Sequence, residues 1–205
     1  MRNVFVYCEL EDNIIADVSL ELLTKGKSLA SQLNCKLEAI VIGSNLNEID
    51  KQIYKYGVDK VHLADDKRLY PYLTLPHTSI VTKILNDNNP QIVLFGATSI
   101  GRDIAPRVAS SLRCGLTADC TSLVIGDHYV KKDEKEYKNL LYQIRPAFGG
   151  NIIATIINPD MHPQMATVRE GVMKMEVFNE TYKGEIKQIN AVSYTHLTLP
   201  TKRIV

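Results

Sequence analysis

Apolar residues recur along the chain in two alternating patterns. Residues 4–7, Val4-Phe-Val-Tyr7, form a short unbroken run of β-formers. Over residues 20–33 the apolar positions Leu20, Leu22, Leu23, Leu29, Ala30 and Leu33 return at spacings that fall on one helical face. A second apolar run covers residues 37–42, and residues 49–56 read as a shorter helix ended by Gly57, a residue suited to the left-handed position after a helix. Residues 60–64 make a third strand. After a tyrosine- and proline-containing passage at 69–76, the positions Ile80, Val81, Ile84 and Leu85 give another helical stripe, closed by residues 86–90. Gln91-Ile-Val-Leu-Phe-Gly96 is the fourth strand, and its unbroken apolar run implies that helices cover both sheet faces. Strands alternating with helices predict a mostly parallel sheet with right-handed crossovers, an α/β fold built as a three-layer α/β/α sandwich.

The rhythm changes beyond Cys114. Residues 123–126, 140–144, 152–157 and 166–168 are short strand-like pieces without a long helix between them, and they read as antiparallel additions to the sheet edge. Residues 131–138 mix lysines with acids and read as a solvated hairpin loop. Residues 191–205 continue no period and read as a non-native tail, leaving one domain over residues 1–190.

Composition narrows the function classes. A chain of 205 residues with 45% hydrophobic and 23% charged residues has globular composition and can bury a sizeable core. Twenty-four basic residues against 23 acidic ones leave a net charge of +1, so no overall field draws the protein to nucleic acid or to an anionic membrane. The four cysteines form no Cys-x-x-Cys pair and suit reduced core positions in a reducing compartment. No apolar run approaches the ~20 residues of a spanning helix, and the expectation is a cytoplasmic protein without membrane insertion. The five histidines show no metal-ligand spacing. No nucleophile and base pair up, and Asp119 beside Cys120 disfavours a thiolate there. The chain reads as a non-enzyme.

Candidate chemistry sits where polar groups stand among glycines. Gly96-Ala-Thr-Ser-Ile-Gly101 follows a strand with the glycine spacing of a phosphate loop, yet Arg102 and Asp103 stand where that motif needs Lys and Ser or Thr. After the first strand, Glu9-Leu-Glu-Asp12 places acids where a dinucleotide's pyrophosphate docks in related folds. The 96–112 stretch is a tight turn into a helix, with Thr98, Ser99 or Asp103 available as cap; Pro106 favours Asp103, because proline is tolerated in a first turn. Arg102 near the positive end of that helix needs a carboxylate or an interface group as partner. Arg145-Pro-Ala-Phe-Gly-Gly-Asn151 reads either as a bulge or sheet crossover, or as an interface presenting Arg145 and Asn151, which Arg169 can join.

The blocks at 96–121, 145–154 and 163–173, in this order, resemble the amino-terminal domain of electron transfer flavoprotein alpha subunits. The resemblance spans about residues 4–187. Glu170 and His162 depart from the family's usual proline and arginine. It implies an adenine-nucleotide-hydrolase-like fold, a beta-subunit partner, and an FAD held mainly by a separate carboxyl-terminal domain that these residues do not include. It also implies electron transfer from flavin dehydrogenases, such as the acyl-CoA dehydrogenases of fatty acid β-oxidation, to a downstream acceptor. This stretch then serves as scaffold, with Arg102, Asp103, Arg145, Asn151 and Arg169 expected at the interface. The alternative is a stand-alone nucleotide-binding α/β module of the stress-protein type.

Overall fold

The chain enters through β1 (Val4–Cys8), makes a small hairpin of β2 (Leu10–Glu11) and β3 (Ile14–Ile15), and continues into α1 (Asp17–Gln32), β4 (Leu37–Gly43) and α2 (Ile49–Ile53). A 3-10 turn at Tyr54–Tyr56 leads to β5 (Lys60–Asp65), and α3 (Thr74–Asn88), β6 (Ile92–Gly96) and α4 (Ser99–Leu112) follow. The remaining strands are β7 (Leu116–Cys120), β8 (Ser122–Val130), β9 (Lys135–Pro146), β10 (Ile153–Ile156), β11 (Gln164–Val168) and β12 (Glu185–Gln188). This computed structural model describes residues 2–130, 134–147 and 152–190. The tail at 191–205, Gly149, Gly150 and Asn151 lie outside the described residues, as does the first part of the charged hairpin loop at 131–133.

Seven strands form one parallel sheet in the order β12-β5-β4-β1-β6-β11-β7. Both of its faces are apolar, which explains the unbroken runs. On one face Val4, Val6, Ala39, Val41, Ile92 and Leu94 pack against Leu22, Leu23 and Leu29 of α1 and against Ile49 and Ile53 of α2. On the other, Phe5, Tyr7, Ile40, Val93 and Phe95 pack against Ile80, Val81 and Ile84 of α3 and Ile104 and Val108 of α4. Among the polar groups buried in the sheet, Glu38 binds fully buried His62 at 2.5 Å and Asn3 at 2.6 Å. Burial raises the Glu38 carboxyl, but the bonds from His62 and Asn3 outweigh it and hold the group below its usual value.

Three of the pieces after Cys114 are antiparallel as expected, but they do not extend the main sheet: β8, β9 and β10 form a separate sheet in the order β10-β9-β8, and both edges of the main sheet are parallel strands. The fourth differs. Residues 166–168 belong to β11, which lies parallel between β6 and β7 inside the main sheet. Its five residues are all buried, and so short a run carries no sign of strand direction.

Beyond β11 the chain crosses over α1 and adds β12 to the far edge of the sheet. The Glu21 carboxylate accepts from the amides of Gly171 and Met173, and the Phe178 amide donates to the Lys55 carbonyl at 2.8 Å. Lys27 sits 4.8 and 4.9 Å from the ring centres of Phe178 and Tyr182, and the Tyr182 hydroxyl donates to Asp59 at 2.5 Å. These contacts deliver residues 185–188 to β5.

The turn from β6 into α4 is set by backbone contact. A Cβ on Gly101 would stand 1.9 Å from the Gly96 carbonyl oxygen, so only glycine lets the helix begin this close to the strand. Thr98 is the cap, accepting from the Gly101 amide at 2.9 Å, and the helix runs on through Pro106. The cap therefore precedes Asp103, whose carboxylate is committed elsewhere, and α4 carries a proline that leaves the Arg102 carbonyl without its usual helical donor. Gly101→Ala should lower unfolding free energy by about 3 kcal/mol or more, because a rigid backbone atom must move. The midpoint of a urea transition, at unchanged slope, checks it.

Candidate functional site at the carboxyl ends of the strands

β1 and β6 are neighbours from which the chain winds in opposite directions, and open parallel sheets take ligands in the crevice such a reversal leaves. Here the crevice is a cavity of about 60 Å³ lined by Tyr7, Glu9, Asn13, Tyr70, Tyr72 and His77 among others. Nearly buried His77 places Nε2 3.1 Å from the Leu69 carbonyl and Nδ1 3.0 Å from the Tyr7 hydroxyl. A carbonyl only accepts, so Nε2 carries the proton and Tyr7 donates to Nδ1. Burial lowers the His77 pKa, which agrees with this neutral ring. Glu9 stands opposite. Its Oε2 accepts the Thr98 hydroxyl at 2.7 Å, while Oε1 is buried without a hydrogen-bond partner. Burial pushes this carboxyl up against the pull of the Thr98 bond.

The second feature gathers arginines around one acid. Asp119 accepts from Arg169 at 2.7 Å and from Arg102 at 3.3 Å, and Arg145 is near enough to favour its charge as well. Each arginine comes from a different element: Arg102 from the first turn of α4, Arg145 from β9, and Arg169 from the residue after β11. Asp119 itself sits at the irregular β7–β11 pairing, with φ of 67° and its amide on Thr167 Oγ1 at 2.9 Å. The Arg169 hydrogen bond, first among its causes, holds its carboxyl below the usual value. Three guanidiniums against one carboxylate leave a surplus of positive charge on an exposed surface. Beside it, burial pushes the Cys120 thiol up to about 11, which disfavours its thiolate.

Residues 4–193 match the electron transfer flavoprotein domain. The chain belongs to that family. It is 43% identical over 186 residues to the electron transfer flavoprotein subunit alpha of Clostridium acetobutylicum, covering 91% of this chain and 53% of that protein. It is 37% identical over 190 residues to the corresponding subunit of Thermoanaerobacterium thermosaccharolyticum, covering 93% and 54%. To the acryloyl-CoA reductase electron transfer subunit beta of Anaerotignum propionicum it is 35% identical over 211 residues, covering 97% and 56%. The chain thus spans about half the length of the curated relatives it matches.

Of the residues expected at an interface, this flavoprotein domain brings Arg102, Arg145 and Arg169 together around Asp119. Asp103 faces away from them: it accepts from Tyr72 at 2.8 Å, Thr74 at 2.6 Å and Arg107 at 2.9 Å, and so ties α3 to α4. Asn151 lies outside the described residues. Asp119, the hub, was visible in the sequence only as a neighbour of Cys120; its signal was an acid flanked by three otherwise unmatched arginines far along the chain. The crevice does not fit an FAD. Its cavity falls well below the ~300–1,000 Å³ of pockets for ligands of drug size, and an acid stands at its phosphate end. No helix among the described residues is long and apolar enough to cross a membrane.

Asp119→Asn should cost about 1 kcal/mol at neutral pH, a figure discounted because Arg102 and Arg169 are half exposed. The native carboxyl titrates below its ordinary 3.8, so its stabilisation is complete above that value and fades as pH falls through the lower native one. The gap between variant and wild type in thermal unfolding should therefore close in acid.

Proposed function

We propose that this chain is the amino-terminal domain of an electron transfer flavoprotein alpha subunit, with residues 1–190 as the native domain and 191–205 as a foreign tail. The observation that carries the proposal is the family match along nearly the whole chain. In the complete protein a beta subunit pairs with it, and a further alpha-subunit domain holds most of the FAD. That flavin accepts electrons from a flavin dehydrogenase, of the acyl-CoA type or another, and passes them on in the cytoplasm. Relatives named for acryloyl-CoA reductase and for an NAD- and ferredoxin-linked lactate dehydrogenase support the wider range of dehydrogenases. The flavin supplies the redox chemistry, and this domain's residues position the assembly.

In this role the surface of Arg102, Arg145 and Arg169 meets acidic groups of the neighbouring subunit or domain. Asp119 keeps the guanidiniums of Arg102 and Arg169 in place before docking, which lowers the side-chain entropy lost on assembly. The stand-alone nucleotide module is the weaker reading, since Glu9 closes the crevice it would use.

The test is coproduction of the full-length chain with its beta-type subunit. Co-purification with bound FAD is expected, and Arg145→Ala or Arg169→Ala should weaken assembly about tenfold each, as for removal of one partner of an interfacial charge pair. Tight assembly by both variants would remove the docking role, and a complex without flavin would remove the carrier reading.

A further inference from the structure

The Gly96 and Gly101 backbones and the first turn of α4 make a cradle of the kind that receives a phosphate. Two glycines remove side chains from the approach, and a helix of 14 residues presents the positive end of its dipole and its first amides, of which that of Gly101 is taken by the Thr98 cap. The position is already filled by Glu9. Its Oε1 lies 2.9 Å from where a Cβ of Gly96 would stand and 3.2 Å from that of Gly101. Its Oε2 holds the hydroxyl of Thr98, the residue that caps the helix. Glu9 is only 6% exposed, and Oε1 has no hydrogen-bond partner in this buried place.

We propose that Glu9 is a built-in occupant of the phosphate position, so that the domain closes its own ligand crevice against phosphorylated ligands. The residue is fixed on both sides of its backbone. Its amide donates to Ser19 Oγ at 2.8 Å, and its carbonyl accepts from the Ala16 amide at 3.0 Å. No lysine or arginine is among the described residues that line the cavity, and Asp12 adds a second acid. Burial favours the neutral ring of His77, which offers no charge. An arriving phosphate would meet a carboxylate at contact distance and no compensating cation. The same amides and glycines would accept an oxyanion once the carboxyl is gone. This inference stands on the crevice alone and does not depend on the electron-carrier role.

Inorganic phosphate titrated by calorimetry into the full-length protein and its variants tests it, with the wild-type titration accounting for binding elsewhere. Glu9→Ala should bind phosphate at least about tenfold more tightly than wild type, a gain of about 1.4 kcal/mol. Glu9→Gln, which removes the charge but keeps the bulk of the side chain, should gain less than Glu9→Ala; an equal gain would overturn the part played by occupancy. A folded Glu9→Ala protein that gains no binding overturns the proposal. Should that variant fail to fold, wild-type crystals soaked in concentrated phosphate decide instead. Glu9 in place, with no anion at the Ser99 and Ile100 amides, supports the proposal, and an anion there with Glu9 turned away overturns it.

Discussion

The contact between the Gly96 carbonyl and the first turn of α4 sets most of what surrounds it. With no side chain at Gly101, the helix starts against the end of β6, and each following residue turns about 100° around the axis. Gly101 therefore faces the strand and Glu9, Arg102 turns towards Asp119 beyond the sheet, and Asp103 turns towards Tyr72 and Thr74 at α3. A helix starting at Asp103 would suit Pro106 better. The structure accepts the proline because the earlier start secures the Thr98 cap, the packing of Ile104 and Val108, and the bridge from Asp103 to α3. One lost helical bond is offset by several gained contacts.

The main sheet depends on being covered twice, and the chain reaches that state by different means at its two ends. Helices α1 to α4 cover the centre. At one edge the segment after β11 crosses α1, and its fixed points are polar: Glu21, Thr24, Lys27 and Asp59 hold backbone amides or aromatic rings. Lys27 lies between two rings and 3.5 Å from Asp59, so its charge is paired while its stem covers apolar surface. This segment protects the edge of β5 by giving it β12 as a partner. The opposite edge ends at β7, where the sheet meets the arginine surface.

Legibility in the sequence followed local periodicity. Strands β1, β4, β5 and β6 are mostly apolar runs and the helices between them repeat at a period of 3.6, so these elements were expected where they occur, while the small β2–β3 hairpin was not. Arg102 was expected to need a partner because it stands at a helix's positive end, and it has Asp119. The direction of β11 was not legible, since five buried residues look the same in a parallel or antiparallel neighbourhood. Strand β12 was invisible because all four of its residues are exposed and it forms only through the contacts that precede it. The start of α4 was misread for a related reason: the propensity of Pro106 is local, while the forces that fix Thr98 come from β1 and β6, far away in sequence.

The two ends of this local arrangement differ in sign, and that difference bears on how the surface can be used. The positive end of α4 receives a carboxyl from within, at Glu9, so the helix dipole is answered inside the protein and contributes little attraction outward. Arg102 and Arg169, anchored by a single acid, and Arg145 near them then supply the outward positive charge themselves. Guanidiniums hold their charge at any physiological pH and form fixed, paired donors, which suits selection of carboxylates by geometry. On the proposed reading, a surface built this way draws acidic groups through its side chains, while the crevice a few residues away is closed to phosphate. The same helix start thus places the arginine surface and the acid-lined crevice on separate sides of α4.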